Sequence, residues 1–173
     1  MSSVNISKVE VNFDESKVTE TELDSHADSP VIGQYAKILE YTGRKAKVSG
    51  FTSSLGKPLT VPVVNAVVAY DCDITGETKI LVICNALYFE DMDINLIPPF
   101  MMRLEAIKVN ECPKFLAKQP TEENHSIYFP QEDIRIPFQL EGIISYIPTR
   151  IPTTDELKLL EGEYLMMTPN MSV

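Results

Sequence analysis

The chain has 173 residues, is 44% hydrophobic and 23% charged, and carries 15 basic against 25 acidic side chains, a net charge of −10. That length and apolar content suit one domain with a real core and exclude polar low-complexity disorder as a description of the whole. The acidic balance argues against direct nucleic-acid binding, and the best apolar run, near Ile80–Ala86, is far short of the roughly 20 residues a membrane-spanning helix needs.

Residues 1–21 are rich in Ser, Glu and Asp and read as an acidic tail. Val9, Val11 and Phe13 alternate with polar residues there, the signal of one edge strand. Residues 22–150 read as the main domain. Strands are expected at Val31-Ile32, Ala36–Leu39, Ala46–Val48 and Leu59–Tyr70, punctuated by turns at Gly43, Gly50 and Gly56. Pro58 and Pro62 suggest strand ends at a sheet edge. Asp71–Gly76 is a turn before Thr78–Ala86, whose β-branched run suits a buried strand. Asn95–Pro99 follows, then a short helix over Phe100–Ile107 with Phe100, Met101, Leu104 and Ile107 on one face. Pro113–Asn124 reads as a loop. Ser126–Phe129, Ile134–Leu140 and Gly142–Pro148 read as two or three strands, and the alternation of Ile134, Ile136 and Phe138 with polar neighbours leaves one face wet. Residues 151–173 supply a last helix, Asp155–Leu160, capped by Thr153 or Thr154, and a frayed end from Glu161. The fold expected is mostly β with two short helices, its short turn-separated strands suggesting a small closed or partly closed barrel.

Three cysteines, Cys72, Cys84 and Cys112, are odd in number and have no CxxC spacing, so they read as reduced, buried thiols. His26 and His125 are too few for a histidine-rich metal site, and Asn124-His125-Ser126 beside Glu122 and Glu123 reads as a solvated loop. No metal or cofactor is expected. Met101-Met102 and Met166-Met167 read as core or interface filler. No basic segment followed by an apolar stretch comes after Met1, so a cytoplasmic setting, or a virus-like particle, is expected. On the same ground the Asn-x-Ser triplets at Asn5 and Asn170 are chance matches.

Leu23-Asp24-Ser25-His26-Ala27-Asp28 is the most informative stretch. By itself an Asp-Ser pair is equally an Asx turn or a helix cap. The stretch also resembles the Asp-Ser/Thr-Gly-Ala signature of the retropepsin-like aspartic proteases. Downstream, the segment Ala86–Phe100, with Leu87-Tyr88-Phe89 and Asn95-Leu96-Ile97-Pro98-Pro99-Phe100, resembles the Leu-Tyr-Val-Pro … Asn-Leu-Leu segment in the proteases of copia-type retrotransposon polyproteins. Ser126–Arg150 resembles the strand-rich segment that comes next in them. The likeness spans roughly Glu22–Arg150 and is closest to the branch with Asp-Ser-His-Ala-Asp.

The resemblance implies a small β-barrel protomer of the retropepsin type that supplies one catalytic carboxylate, Asp24, and works as a homodimer on an extended peptide or polyprotein. It implies a Ser25 hydroxyl that bonds across the dimer, Ala27 lining the site and Asp28 holding substrate backbone. His26 stands where the family has Gly, beside the substrate. It implies a flap, placed here at Gly50–Gly56 with Phe51 and Ser54 facing substrate, and it sets Asn95–Ile97 on the strand that supports the catalytic loop. Three departures stand out. His26 adds a side chain where Gly allows angles that His reaches at a cost. Pro30 removes a backbone donor just after the loop. Pro98-Pro99 replaces a Gly-containing continuation. The two readings are an aspartic endopeptidase that processes its own polyprotein and, as the alternative, a catalytically inactive module of the same fold that serves dimerisation or assembly. An unrelated acidic β-domain that binds a protein partner is a third.

Overall fold

The computed structural model describes residues 13–49 and 58–170. The architecture is mostly β with two short helices. Eight strands form a path: β10 (Gln139–Glu141), β11 (Ile144–Thr149), β1 (Thr19–Leu23), β6 (Asn95–Ile97), β2 (Val31–Ile32), β5 (Thr78–Tyr88), β4 (Leu59–Asp71) and β3 (Lys37–Val48). A ninth, β12 (Leu165–Met166), joins β5 in parallel. A separate three-stranded sheet orders β7 (Lys108–Asn110), β8 (Ser126–Phe129) and β9 (Ile134–Pro137). The described sheets are not closed into a barrel, since β10 and β3 are left as free ends of the path. The large sheet curls enough for one bridge, Ala69 to Arg150, to bring the chain just after β11 against β4.

β4 and β5 are the trunk of the fold. Their runs of Val, Ile, Ala and Leu are apolar on both faces, and both faces are covered. Val64, Ala66, Val68, Leu81 and Ile83 join the main core with Ile32, Ile97, Ile127, Ile136 and Ile147. Val67, Ala69, Ile80, Val82 and Cys84 form a second cluster, covered by Leu157, Leu160, Tyr164 and Met166. That second cluster corrects the expectation of a frayed end. Leu165, Met167 and Thr168 are buried, Met167 N–H donates to Val82 C=O (2.8 Å), and the Thr168 hydroxyl accepts from Cys84 N–H (2.7 Å) and donates to Cys84 C=O (3.0 Å). Leu165–Thr168 is held because β5 would otherwise expose an apolar face and unpaired backbone.

Other expectations need adjustment for local reasons. Gly43 is no turn: with φ of 85° it sits inside β3, in the irregularity between Tyr41 and Lys45, where the left-handed backbone favours glycine. Pro62 lies in an interior strand, yet β4 pairs with β5 only from Val63 onward, so its missing N–H breaks no bond on that side. The first helix, α1 (Pro99–Leu104), buries Pro99 and Met102, whereas Phe100 and Leu104 are exposed. Its start on Pro99 is favourable, because a first-turn proline loses no helical bond. β1 and β7 have no counterpart among the expected strands: Thr19–Thr21 falls in the expected acidic tail yet lies inside the large sheet, and the alternation at Val9 and Val11 lies outside the described residues. Cys84 is buried and Cys72 is half-buried, but Cys112 is exposed, against the expectation of three buried thiols.

The second helix, α2 (Thr154–Leu159), is capped as expected: Thr153 Oγ1 accepts from Glu156 N–H (3.1 Å) and the Glu156 carboxylate accepts from Thr153 N–H (2.8 Å). Arg150 locks this helix to the trunk, with paired bonds to Asp71 (2.7 and 2.9 Å) and to Glu156 (2.8 and 2.7 Å). The guanidinium holds Glu156 down to about 2, against an ordinary value of 4.5. A lowered acid contributes stability that is full above 4.5 and lost as pH falls toward 2. Glu156→Gln is therefore expected to cost about 2 kcal/mol at pH 7, after allowance for partial solvent screening. In urea unfolding that gap between parent and variant should close near pH 2; a gap unchanged with pH would show that the ion pair is not its source.

Candidate active site

The Asp24 loop owes its shape to an inserted strand. β6 lies between β1 and β2, parallel to the first and antiparallel to the second. Two strand spacings, about 10 Å, then separate β1 from β2, too far for a tight hairpin. The segment 24–30 makes the crossing at the end of β6. Asp24 is its first residue, and its N–H donates to Ile97 C=O (3.1 Å). Asn95–Ile97 thus lies against the Asp24 loop, in register with Thr21–Leu23.

Within the loop, Asp24 Oδ1 accepts the His26 N–H (2.9 Å) and Asp24 C=O accepts the Ala27 N–H (3.3 Å). This is an Asx-type turn closed on itself. Asp24 and Ala27 are half-buried; Ser25, His26 and Asp28 are exposed. The Oδ2 oxygen of Asp24 takes no part in the turn. The five residues Asp24–Asp28 are therefore one short turn, presented at the surface. Phe51, Ser54 and the whole Gly50–Gly56 segment lie outside the described residues. The described arms of β3 and β4 pair as far as Val48 and Leu59, on either side of it.

The departures prove compatible with the loop. His26 is not among the residues with positive φ, so the imidazole imposes no left-handed strain and the backbone cost expected of it is absent. Pro30 is buried, and its carbonyl accepts from Leu87 N–H (2.9 Å), so the β2–β5 contact uses the group proline retains. After Pro98 the chain enters α1, so a helix does follow the Asn-Leu-Ile strand.

A buried polar knot supports the loop from below. Asn95 Nδ2 donates to Thr21 Oγ1 (3.1 Å), the Thr21 and Thr149 hydroxyls bond each other (2.7 Å), and Gly33 N–H donates to Asn95 Oδ1 (3.0 Å). Three strands and the turn after β2 meet in one network with Asn95 fully buried. Thr21, Thr149 and Gly33 are not singled out by the sequence. The alternation Thr19, Thr21, Leu23 held the only hint, and threonine serves an inward or an outward face equally well.

β1 carries acidic residues on its other side. A hydrogen bond with the Glu141 carboxyl, then burial, then the charges of Glu141 and Glu22 push Glu20 up to about 7. A raised acid stabilises the fold fully below its unfolded value near 4.5, and that contribution is lost as pH climbs through 7. The Glu20 contribution is therefore expected to be lost between pH 5 and pH 8, against the opposite slope of buried His125, and Glu20→Gln should remove that part of the pH dependence. Urea midpoints at the two pH values measure it; an equal slope in both chains would sink the assignment.

Near the other sheet, His125 has φ of 54°, is buried, and its Nε2 pairs with Ser145 Oγ (2.8 Å). Burial holds its pKa below the usual histidine value. His125 is thus a packed residue, not part of a solvated loop. Among the described residues no three His, Cys, Asp or Glu side chains gather to hold a metal ion, and no helix is long and apolar enough to cross a membrane. The chain matches no family model, no curated protein and no solved structure.

Proposed function

We propose that the chain is an aspartic endopeptidase of the copia retroelement kind, processing a polyprotein with one Asp24 from each of two protomers. The protomer is then an open relative of the retropepsin barrel. One observation carries the reading: Asp24 opens a tight surface turn that crosses the end of an inserted strand, tied to that strand through Ile97 and to its own His26 N–H. Such a turn fixes one carboxylate and leaves it half-exposed, the arrangement a two-fold partner needs.

Two carboxylates about 3 Å apart cannot both ionise easily, so the pair shares one proton. The ionised member takes a proton from water. The protonated member hydrogen-bonds the scissile carbonyl and stabilises the oxyanion that forms. Substrate lies extended, main chain to main chain. Cleavage is expected to be strongest at mildly acid pH, where the shared proton is present.

The test combines assembly with inhibition. Sedimentation of the full chain should show a dimer, and a peptide mimic carrying a hydroxyl at the scissile position should block cleavage at one molecule per dimer. A strict monomer at concentrations that cleave peptide would end this mechanism. A dimer that never cleaves would favour the inactive assembly module.

A further inference from the structure

Beside the Asp24 loop is a cavity of about 590 Å³. Ser29 and Pro30 of that same loop form one wall. Leu87 of β5 and Met101 and Leu104 of α1 form an apolar floor, and Leu104 is 68% exposed. The rim carries Arg44 and Lys45 of β3, both exposed, with the Arg44 guanidinium donating to Asn85 Oδ1 beside it. We propose that this cavity, with the adjoining edge of β3, binds a substrate segment that is both apolar and acidic.

Three observations carry the assignment. First, consecutive residues of a regular strand point to opposite faces. Arg44, Lys45 and Ala46 nevertheless all line one cavity, in and just beyond the irregularity between Tyr41 and Lys45. Second, β3 holds Lys37, Arg44, Lys45 and Lys47 against the single acid Glu40, in a chain whose net charge is −10. A positive strip on an acidic molecule attracts acidic segments and leaves basic ones to the rest of the surface. Third, β3 ends the strand order of its sheet, so among the described residues its outer edge pairs with no other strand. An extended peptide can pair there through its main chain beside the basic rim, and its apolar continuation crosses the sheet face to the floor at Leu87, Met101 and Leu104.

The proposal rests on the protease reading for the peptide's origin, and the experiment separates the two. The full chain carrying Asp24→Asn, which cannot consume its ligand under that reading, is titrated with a fluorescent eight-residue peptide of alternating Leu and Glu. A second peptide has Gln in place of Glu. The Glu peptide is expected to bind about tenfold more tightly at low salt, with the difference shrinking at high salt. Arg44→Glu with Lys45→Glu should abolish the preference, and Leu104→Asp should weaken both peptides. Lys45→Gln, at an exposed side chain, gives the same readout at smaller amplitude if the double reversal does not fold. Equal binding of the two peptides, or a preference that survives the charge changes, overturns the proposal. So does tighter binding of a single-stranded oligonucleotide than of the Glu peptide. Incubating both peptides with the unmutated chain then reports on the protease. Charge-selective binding without cleavage removes the protease reading and keeps the cavity's ligand, whereas cleavage with no charge preference does the reverse.

Discussion

Asp24→Asn is expected to reduce peptide cleavage by about 10³-fold or more, the scale set by removing a positioned general acid–base group. Stability should hardly change. Asn keeps a side-chain oxygen that accepts the His26 N–H, and the bond from the residue 24 N–H to Ile97 C=O belongs to the backbone. The Asx turn therefore survives the substitution. What disappears is the negative charge and the shared proton, without which neither water nor carbonyl is activated. Excess variant mixed with the parent should suppress the parent's activity, because each mixed pair lacks one carboxylate. If Asp24→Asn cleaves as fast as the parent at equal melting temperature, paired-carboxylate chemistry at this turn is wrong.

Gly33→Ala should unfold the chain or lower its stability by at least about 4 kcal/mol, in the range reserved for severe steric or polar defects. Gly33 follows β2 directly and is buried. A Cβ at this position would stand 2.8 Å from the Met92 carbonyl carbon and 2.9 Å from the Ile94 oxygen, and closer still to the Met92 oxygen. These are backbone atoms, so no flexible side chain can give way. Nor can the glycine backbone simply retreat, since its N–H donates to Asn95 Oδ1 and Gln34 N–H donates to Met92 C=O (2.9 Å). Moving it would uncouple Asn95 from Thr21 and disturb the Asp24 loop. The effect should appear in thermal unfolding and, in any folded fraction, in loss of peptide binding. A Gly43→Ala control meets no atom within 4 Å and should cost only the strain of its left-handed backbone, about 1 kcal/mol. Equal melting temperatures for Gly33→Ala and the parent would refute the close packing.

The long strands were legible because their local pattern and their burial agree. Leu59–Asp71 and Thr78–Tyr88 are dense in β-branched residues and are buried on both faces, so no tertiary choice competes with propensity. The last helix was legible too, since a threonine cap at Thr153 or Thr154 precedes an acidic first turn, and the structure settles the cap on Thr153 with Glu156. The C-terminal residues were illegible for the opposite reason. Tyr164–Thr168 has no strong strand pattern of its own, and its order comes from covering β5.

The sequence alone determined the mostly-β character, the long strands, the two short helices and the turn character of the Asp-Ser stretch. All of these depend on interactions between residues close in the chain. Only the tertiary structure decided that β6 slips between β1 and β2, that His26 fits without backbone strain, and that Arg44 and Lys45 share a cavity with Pro30 and Leu104. Those outcomes turn on hydrogen bonds and packing between segments tens of residues apart, such as Asn95 with Thr21 and Gly33, and side-chain periodicity carries no record of which distant strand will supply the partner.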